Sequence, residues 1–197
     1  MATIVEHDKR RQEILQRALD VFIDEGYEDV TFQKIADRCG ITRTTLYIYF
    51  KNKREIFLWS IKQLTETLEV QLLEVVKDTS LSSEAALKKI FRIIIDVCQE
   101  NPKLFTVLLS YLIQLQKSGG DPEERVRRRV IKIRHIICIV LIRGMKSGEV
   151  KKVNLKATTE MLYSVFESAI FKIAVLNKTE ISDMIDVADV AIENLMV

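Results

Sequence analysis

Arg43, Thr44, Thr45, Tyr47 and Tyr49 fall within one short stretch, and from Arg38 to Arg54 the chain carries five basic side chains and no acidic one. At helical spacing these residues occupy the outer face of one short helix, where a structural helix would normally show Glu and Lys. Their chemistry is donation. A guanidinium, two aliphatic hydroxyls and two phenols suit phosphate oxygens and base edges. The positive field is local, because Asp20 to Asp29 holds five acidic side chains and no basic one, and the formal net charge is only +2. A total that small does not indicate nucleic acid; its distribution does.

The elements that must hold this face are legible in the flanking residues. Asp8 precedes a run in which Ile14, Leu15, Ala18, Leu19 and Phe22 recur at helical spacing, and Gly26 stops it. Thr31 caps a second helix, Phe32 to Cys39, with Ile35 and Ala36 inward. Thr42 caps a third, reaching Tyr49, whose Leu46 closes a small core; Lys51-Asn52-Lys53 ends it. A steep helix crossing needs a small side chain, supplied by Ala36, and the turn four residues later needs the positive φ that Gly40 allows. Phe32 to Tyr49 therefore fits a helix-turn-helix. A lone A-x-x-x-G-I also occurs in helical proteins that bind no DNA, so the donor-rich, acid-free third helix carries the distinction.

The run Thr31-Phe32-Gln33-Lys34-Ile35-Ala36, followed by Gly40-Ile41-Thr42-Arg43-Thr44-Thr45-Leu46-Tyr47-Ile48-Tyr49-Phe50-Lys51-Asn52-Lys53, resembles the N-terminal pattern of the TetR family of regulators. The resemblance covers about the first quarter of the chain. It implies an all-α protein: an N-terminal three-helix helix-turn-helix DNA-binding domain, taken as residues 1–54, and a C-terminal helical-bundle ligand-binding and dimerisation domain, 55–197. It places Arg43, Thr44 and Thr45 at base edges, with Gln33 either at a base or at a phosphate or solvent. Thr31, Thr42, Tyr47, Tyr49 and Lys53 fall where the family holds phosphates. Thr44 stands where a small residue is usual, and Ile48 where an aromatic is common, which leaves open the bases that are read.

Beyond Asn52 the sequence is read for architecture. Lys53 to about Lys77 continues as one helix with Ile56, Phe57, Ile61, Leu64, Leu68, Leu72 and Val75 on a stripe. Asp78 to Ser83 is a polar break and Leu87 to Cys98 a further helix. Asn101-Pro102 and Asp121-Pro122 each mark a helix start, with Gly119-Gly120 and Ser147-Gly148 as stops. Arg125, Arg128, Arg129 and Lys132 group on one seam of the helix after Pro122, a solvated face or an anion contact. Two helices close the chain, about Leu155 to Leu176 capped by Asn154, and Thr179 to Met196 capped by Thr179 or Ser182. Both are apolar on more than one face, and the resemblance implies a homodimer through them. It also implies a small-molecule effector, a repressor's mechanism and double-stranded DNA as partner. Tyr111, His135, Cys138, Tyr163 and Phe166 are the candidate lining of an effector pocket, or else plain core.

With 48% apolar and 29% charged residues, six glycines and two prolines, the composition is that of a compact helical protein. The longest apolar run, Ile136 to Ile142, is far short of the roughly 20 residues that cross a bilayer. No secretory leader is recognisable, so no membrane partner and a cytoplasmic location are expected. Cys39, Cys98 and Cys138 are odd in number and lack C-x-x-C spacing, and are read as reduced, mostly buried thiols; no metal or cofactor is expected. Enzyme signatures are missing: only His7 and His135 exist, His7 ahead of the first helix, and there is no phosphate loop or nucleophile elbow. A helical interaction protein that has lost specific DNA binding is the alternative.

Overall fold

The computed structural model describes the backbone of residues 2–178 and 180–197, and the side chains of 6–178 and 180–197. Among these residues there are nine helices: α1 (Ala2–Glu25), α2 (Phe32–Cys39), α3 (Arg43–Tyr49), α4 (Lys53–Lys77), α5 (Ser83–Glu100), α6 (Pro102–Lys117), α7 (Pro122–Ser147), α8 (Leu155–Ala174) and α9 (Asp183–Glu193). The chain divides into two compact units, Met1–Thr67 and Leu68–Val197, referred to as head and body; the division falls inside α4. No described helix is long and apolar enough to cross a membrane.

The head is built on local signals. Thr31 and Thr42 have extended backbones, and their hydroxyl oxygens accept from the amides of Lys34 and Thr45, each satisfying one of the free donors of a helix start. Gly40 turns the chain with φ +66°, and its own amide and that of Ile41 reach back to Asp37 and Ala36. Ile35, Ala36, Leu46, Phe50, Ile56 and Phe57 are buried with Ile14, Ala18 and Phe22 of α1. The first helix begins at Ala2, well ahead of the expected start after Asp8, so Asp8 and His7 lie inside it.

In the body, α5 packs on α7, α8 and α9, and α8 on α6 and α7. One continuous core runs through Leu87, Ile90, Phe91, Ile94, Ile137, Val140, Leu141, Leu162, Phe166, Ala169, Ile181 and Ala188. Asn154 caps α8 through the amide of Ala157. Asn101 does not cap α6; its side-chain amide donates to Val97 O, closing α5 instead. The last helix is shorter than expected. Ser182 makes no side-chain cap bond, Ile181 is buried in the preceding turn, and the other proposed cap, Thr179, lies outside the described residues. After α9 the chain turns extended: Lys151 N donates to Leu195 O and Val197 N to Glu149 O, forming an antiparallel bridge between Val150 and Met196.

Gly144, buried on α7, is where the α7 end meets the start of α5. A Cβ there would come within 2.3 Å of Val150 Cγ2 and 2.8 Å of Ser83 Cβ. Gly144→Ala is therefore expected to destabilise the body by about 1–3 kcal/mol through overpacking. Thermal melting followed by circular dichroism checks this; an unchanged midpoint would mean that the turn after Gly148 yields freely.

Candidate nucleic-acid interface

Leu46 is the buried anchor of α3. At 3.6 residues per turn, Thr44 and Ile48 lie about 160° and 200° around the helix from it, so they form the outermost ridge. Arg43 and Tyr47 form one flank, Thr45 and Tyr49 the other. The exposures agree: Arg43, Thr44, Tyr47 and Ile48 are exposed, and Thr45 and Tyr49 are half-buried.

Both flanks are tied down. Arg43 Nη2 donates to Tyr47 Oη at 3.2 Å, and the Tyr47 ring lies against Phe32 with centroids 4.5 Å apart. On the other side Tyr49 stacks on His7 at 4.6 Å. Thr45, expected at a base edge, is half-buried and its hydroxyl pairs with that of Thr42 at 2.8 Å beside the cap. Thr31 and Thr42 are exposed caps whose oxygens already accept one amide each. Gln33 is exposed on α2, its amide donating to Asp37 Oδ1 at 2.7 Å.

Lys53, expected at a phosphate, is engaged within the head. Its ammonium donates to the carbonyls of Tyr27, Glu28 and Val30 at 3.0, 2.8 and 2.9 Å, using all three of its protons on the loop between α1 and α2. Lys34 holds the same loop, bonding Asp29 O at 3.2 Å and pairing with Glu25. Arg38 pairs with Asp24 at 3.1 Å. The acidic block of α1 thus neutralises cations of α2, leaving Arg43, on α3, outside those pairs. Sequence reasoning missed this because the three carbonyls belong to backbone some 25 residues upstream.

Lys53→Ala is accordingly expected to lower head stability by about 1–2 kcal/mol, a figure reduced for the partial exposure of the site. The one tryptophan of the chain, Trp59, lies in the head under the guanidinium of Arg11 and the ammonium of Lys62, at 4.3 and 4.2 Å from its ring centroid. Its fluorescence during urea unfolding therefore measures the head. A phosphate-only role for Lys53 would leave that transition in place and reduce the salt dependence of DNA binding instead.

The residues expected to line an effector pocket are dispersed. Tyr163 and Phe166 lie together in the body core, 6.3 Å between centroids, with Phe166 stacked on Phe91 at 4.4 Å. Tyr111 is buried on α6, and Cys138 is half-buried on α7. His135 is exposed on α7. Two open hollows lie elsewhere. One, of about 200 Å³, is between α1 and α4, lined by Leu15, Gln16, Leu19, Ser60, Gln63, Leu64 and Thr67. The other, about 250 Å³, is at the α8–α9 turn beside Lys172, Lys178 and Asp183. Burial pushes the Cys98 thiol up to about 12 and raises that of Cys39, so neither thiol is a ready nucleophile at neutral pH.

Residues 14–58 match the family described as bacterial regulatory proteins, tetR family. The fatty acid metabolism regulator protein of Bacillus subtilis is 22% identical over 162 residues, covering 80% of each chain. Among solved structures, a TetR transcription regulator from Haloarcula marismortui superimposes with a TM-score of 0.86 at 22% identity, covering 96% of this chain and 100% of that one. The transcriptional regulator FadR from Bacillus subtilis, solved in complex with stearoyl-CoA, gives a TM-score of 0.73 at 20% identity, covering 93% and 96%. At these identities the two solved structures speak to fold. The match over 14–58 falls on the segment that builds the exposed face of α3.

Proposed function

We propose that this chain, a member of the TetR family of transcription regulators, acts as a ligand-responsive repressor that binds a palindromic operator as a homodimer. The observation that carries the reading is the exposed, acid-free face of α3, presented by two helix caps and a left-handed glycine turn. In this reading α3 enters the major groove, with Arg43 donating to a guanine edge and Thr44 beside it. Thr31, Thr42, Gln33, Tyr47 and Tyr49 border the groove, where hydroxyls and amides meet phosphates. Thr45 and Lys53 support the reader from behind.

The dimer is supported by apolar residues left in water on α8 and α9. Met161 and Phe171 lie on α8, Val175 follows its last residue, and Val187 and Val190 lie on α9, all exposed in the single chain. Large apolar side chains left exposed on two helices that pack together suit a two-fold contact with a second copy. Long-chain acyl-CoA is the effector class to test first, because the fatty acid metabolism regulator protein of Bacillus subtilis aligns over 80% of the chain and the FadR structure of the same fold was solved with stearoyl-CoA. For such a ligand to induce, its affinity must differ between free and DNA-bound protein, and the coupling is reciprocal.

Selection of bound fragments from random duplexes tests the reading directly. The expected result is an inverted repeat whose affinity falls steeply with salt. Failure to enrich any sequence, with the chain folded and dimeric by light scattering, would move the protein to the alternative of a helical interaction module without specific DNA binding.

A further inference from the structure

The outermost ridge of α3 ends in an apolar side chain that no catalogue of polar contacts would include. Ile48 is 69% exposed, the most exposed large apolar residue among the described residues of the head, and it sits one turn beyond Thr44 on the side opposite buried Leu46. The phenols on both flanks are held, Tyr47 against Phe32 and Tyr49 against His7, so neither ring is placed to cover it. A β-branched side chain has one strongly preferred rotamer in a helix, which makes this an apolar knob of fixed direction. Within a major groove, the one apolar feature of the base edges is the thymine C5-methyl group.

Resting on the reading of α3 as the DNA-reading helix, we infer that Ile48 is a specificity-determining residue that packs against a thymine methyl in each half-site. Its neighbour Thr44, four residues earlier on the same ridge, rises about 6 Å less along the helix axis. Side chains a full helical turn apart make separate contacts, so the Ile48 contact is separable from any contact of Thr44 by substituting one residue at a time. Arg43 on the adjacent flank supplies the polar reading, and Ile48 adds discrimination between thymine and cytosine where Arg43 does not reach.

The test uses a duplex recovered by selection on the 197-residue chain. Each thymine is replaced in turn by deoxyuridine, symmetrically in both half-sites, which removes only the methyl group, and affinity is read by fluorescence anisotropy. One buried methyl is worth about fourfold, so one position is expected to lose about 15-fold for the symmetric pair. In Ile48→Ala, whose fold is checked by the Trp59 unfolding transition, the thymine and uracil duplexes are expected to bind equally at that position, while any position read by Thr44 keeps its sensitivity. Indifference of the unaltered chain to every uracil substitution overturns the inference. So does a methyl effect that survives unchanged in Ile48→Ala. A chain that binds no duplex overturns the DNA-reading assignment and this inference with it, an outcome distinct from tight binding without methyl sensitivity.

Discussion

Phe57→Ala is expected to unfold the head while leaving the body standing. The ring is fully buried, edge-on to Phe22 at 4.9 Å and tilted against Tyr27 at 5.0 Å, so it joins α4, α1 and the loop that follows α1. Truncating a buried phenylalanine costs about 3–5 kcal/mol. A unit of the head's 67 residues has a total stability of only about 3–10 kcal/mol at typical values per residue. Most of the margin goes with that one ring. Urea unfolding followed by Trp59 should shift to much lower denaturant or lose its cooperative transition, whereas helical circular dichroism from the body persists. Retention of a wild-type Trp59 midpoint would show that the three-ring cluster is not what holds the head together.

Arg43→Ala is expected to leave the fold intact and relax base preference at one position of each half-site, with affinity reduced about 5–150-fold per half-site if a bidentate guanine contact of about 1–3 kcal/mol is lost. The side chain is exposed, and its bond to Tyr47 Oη is a surface contact, so stability changes little. Competition between the selected duplex and a single-base variant separates the two effects. Equal loss against both duplexes would make Arg43 a phosphate contact, because charge neutralisation carries no sequence information. Lys53→Ala should give the converse pattern: a weakened head and unaltered selectivity.

The head was legible because its determinants are local. Thr31, Gly40 and Thr42 each act on backbone within a few residues of themselves, and the structure places their caps and turn where the spacing requires. What was not legible depends on partners distant in sequence. That Thr45 faces its cap and that Lys53 satisfies three upstream carbonyls follows from the folded path of the chain, and the residue types alone permit an outward role for both. Asn-Pro at 101–102 has the same ambiguity: asparagine can cap the helix ahead or close the one behind, and here Val97 O takes its amide. In the last helix, apolar Ile181 continues the pattern into the turn, so periodicity overran the helix start. His135 stands among isoleucines in sequence, but a helix exposes one side of any such run.

The pairing of α5 with α9 has a consequence for how the protein is made. Lys88 and Glu193, joined by an ion pair at 2.6 Å, are separated by most of the body, whereas the head closes on contacts among its own first 67 residues. Because loop closure over long separations must precede the reward of such contacts, the body cannot finish before its final helix has been synthesised. At typical elongation rates of about 5–20 residues per second, the remaining 130 residues take roughly 7–26 s. On the ribosome, then, the head has all of its own residues for seconds before α8 and α9 exist.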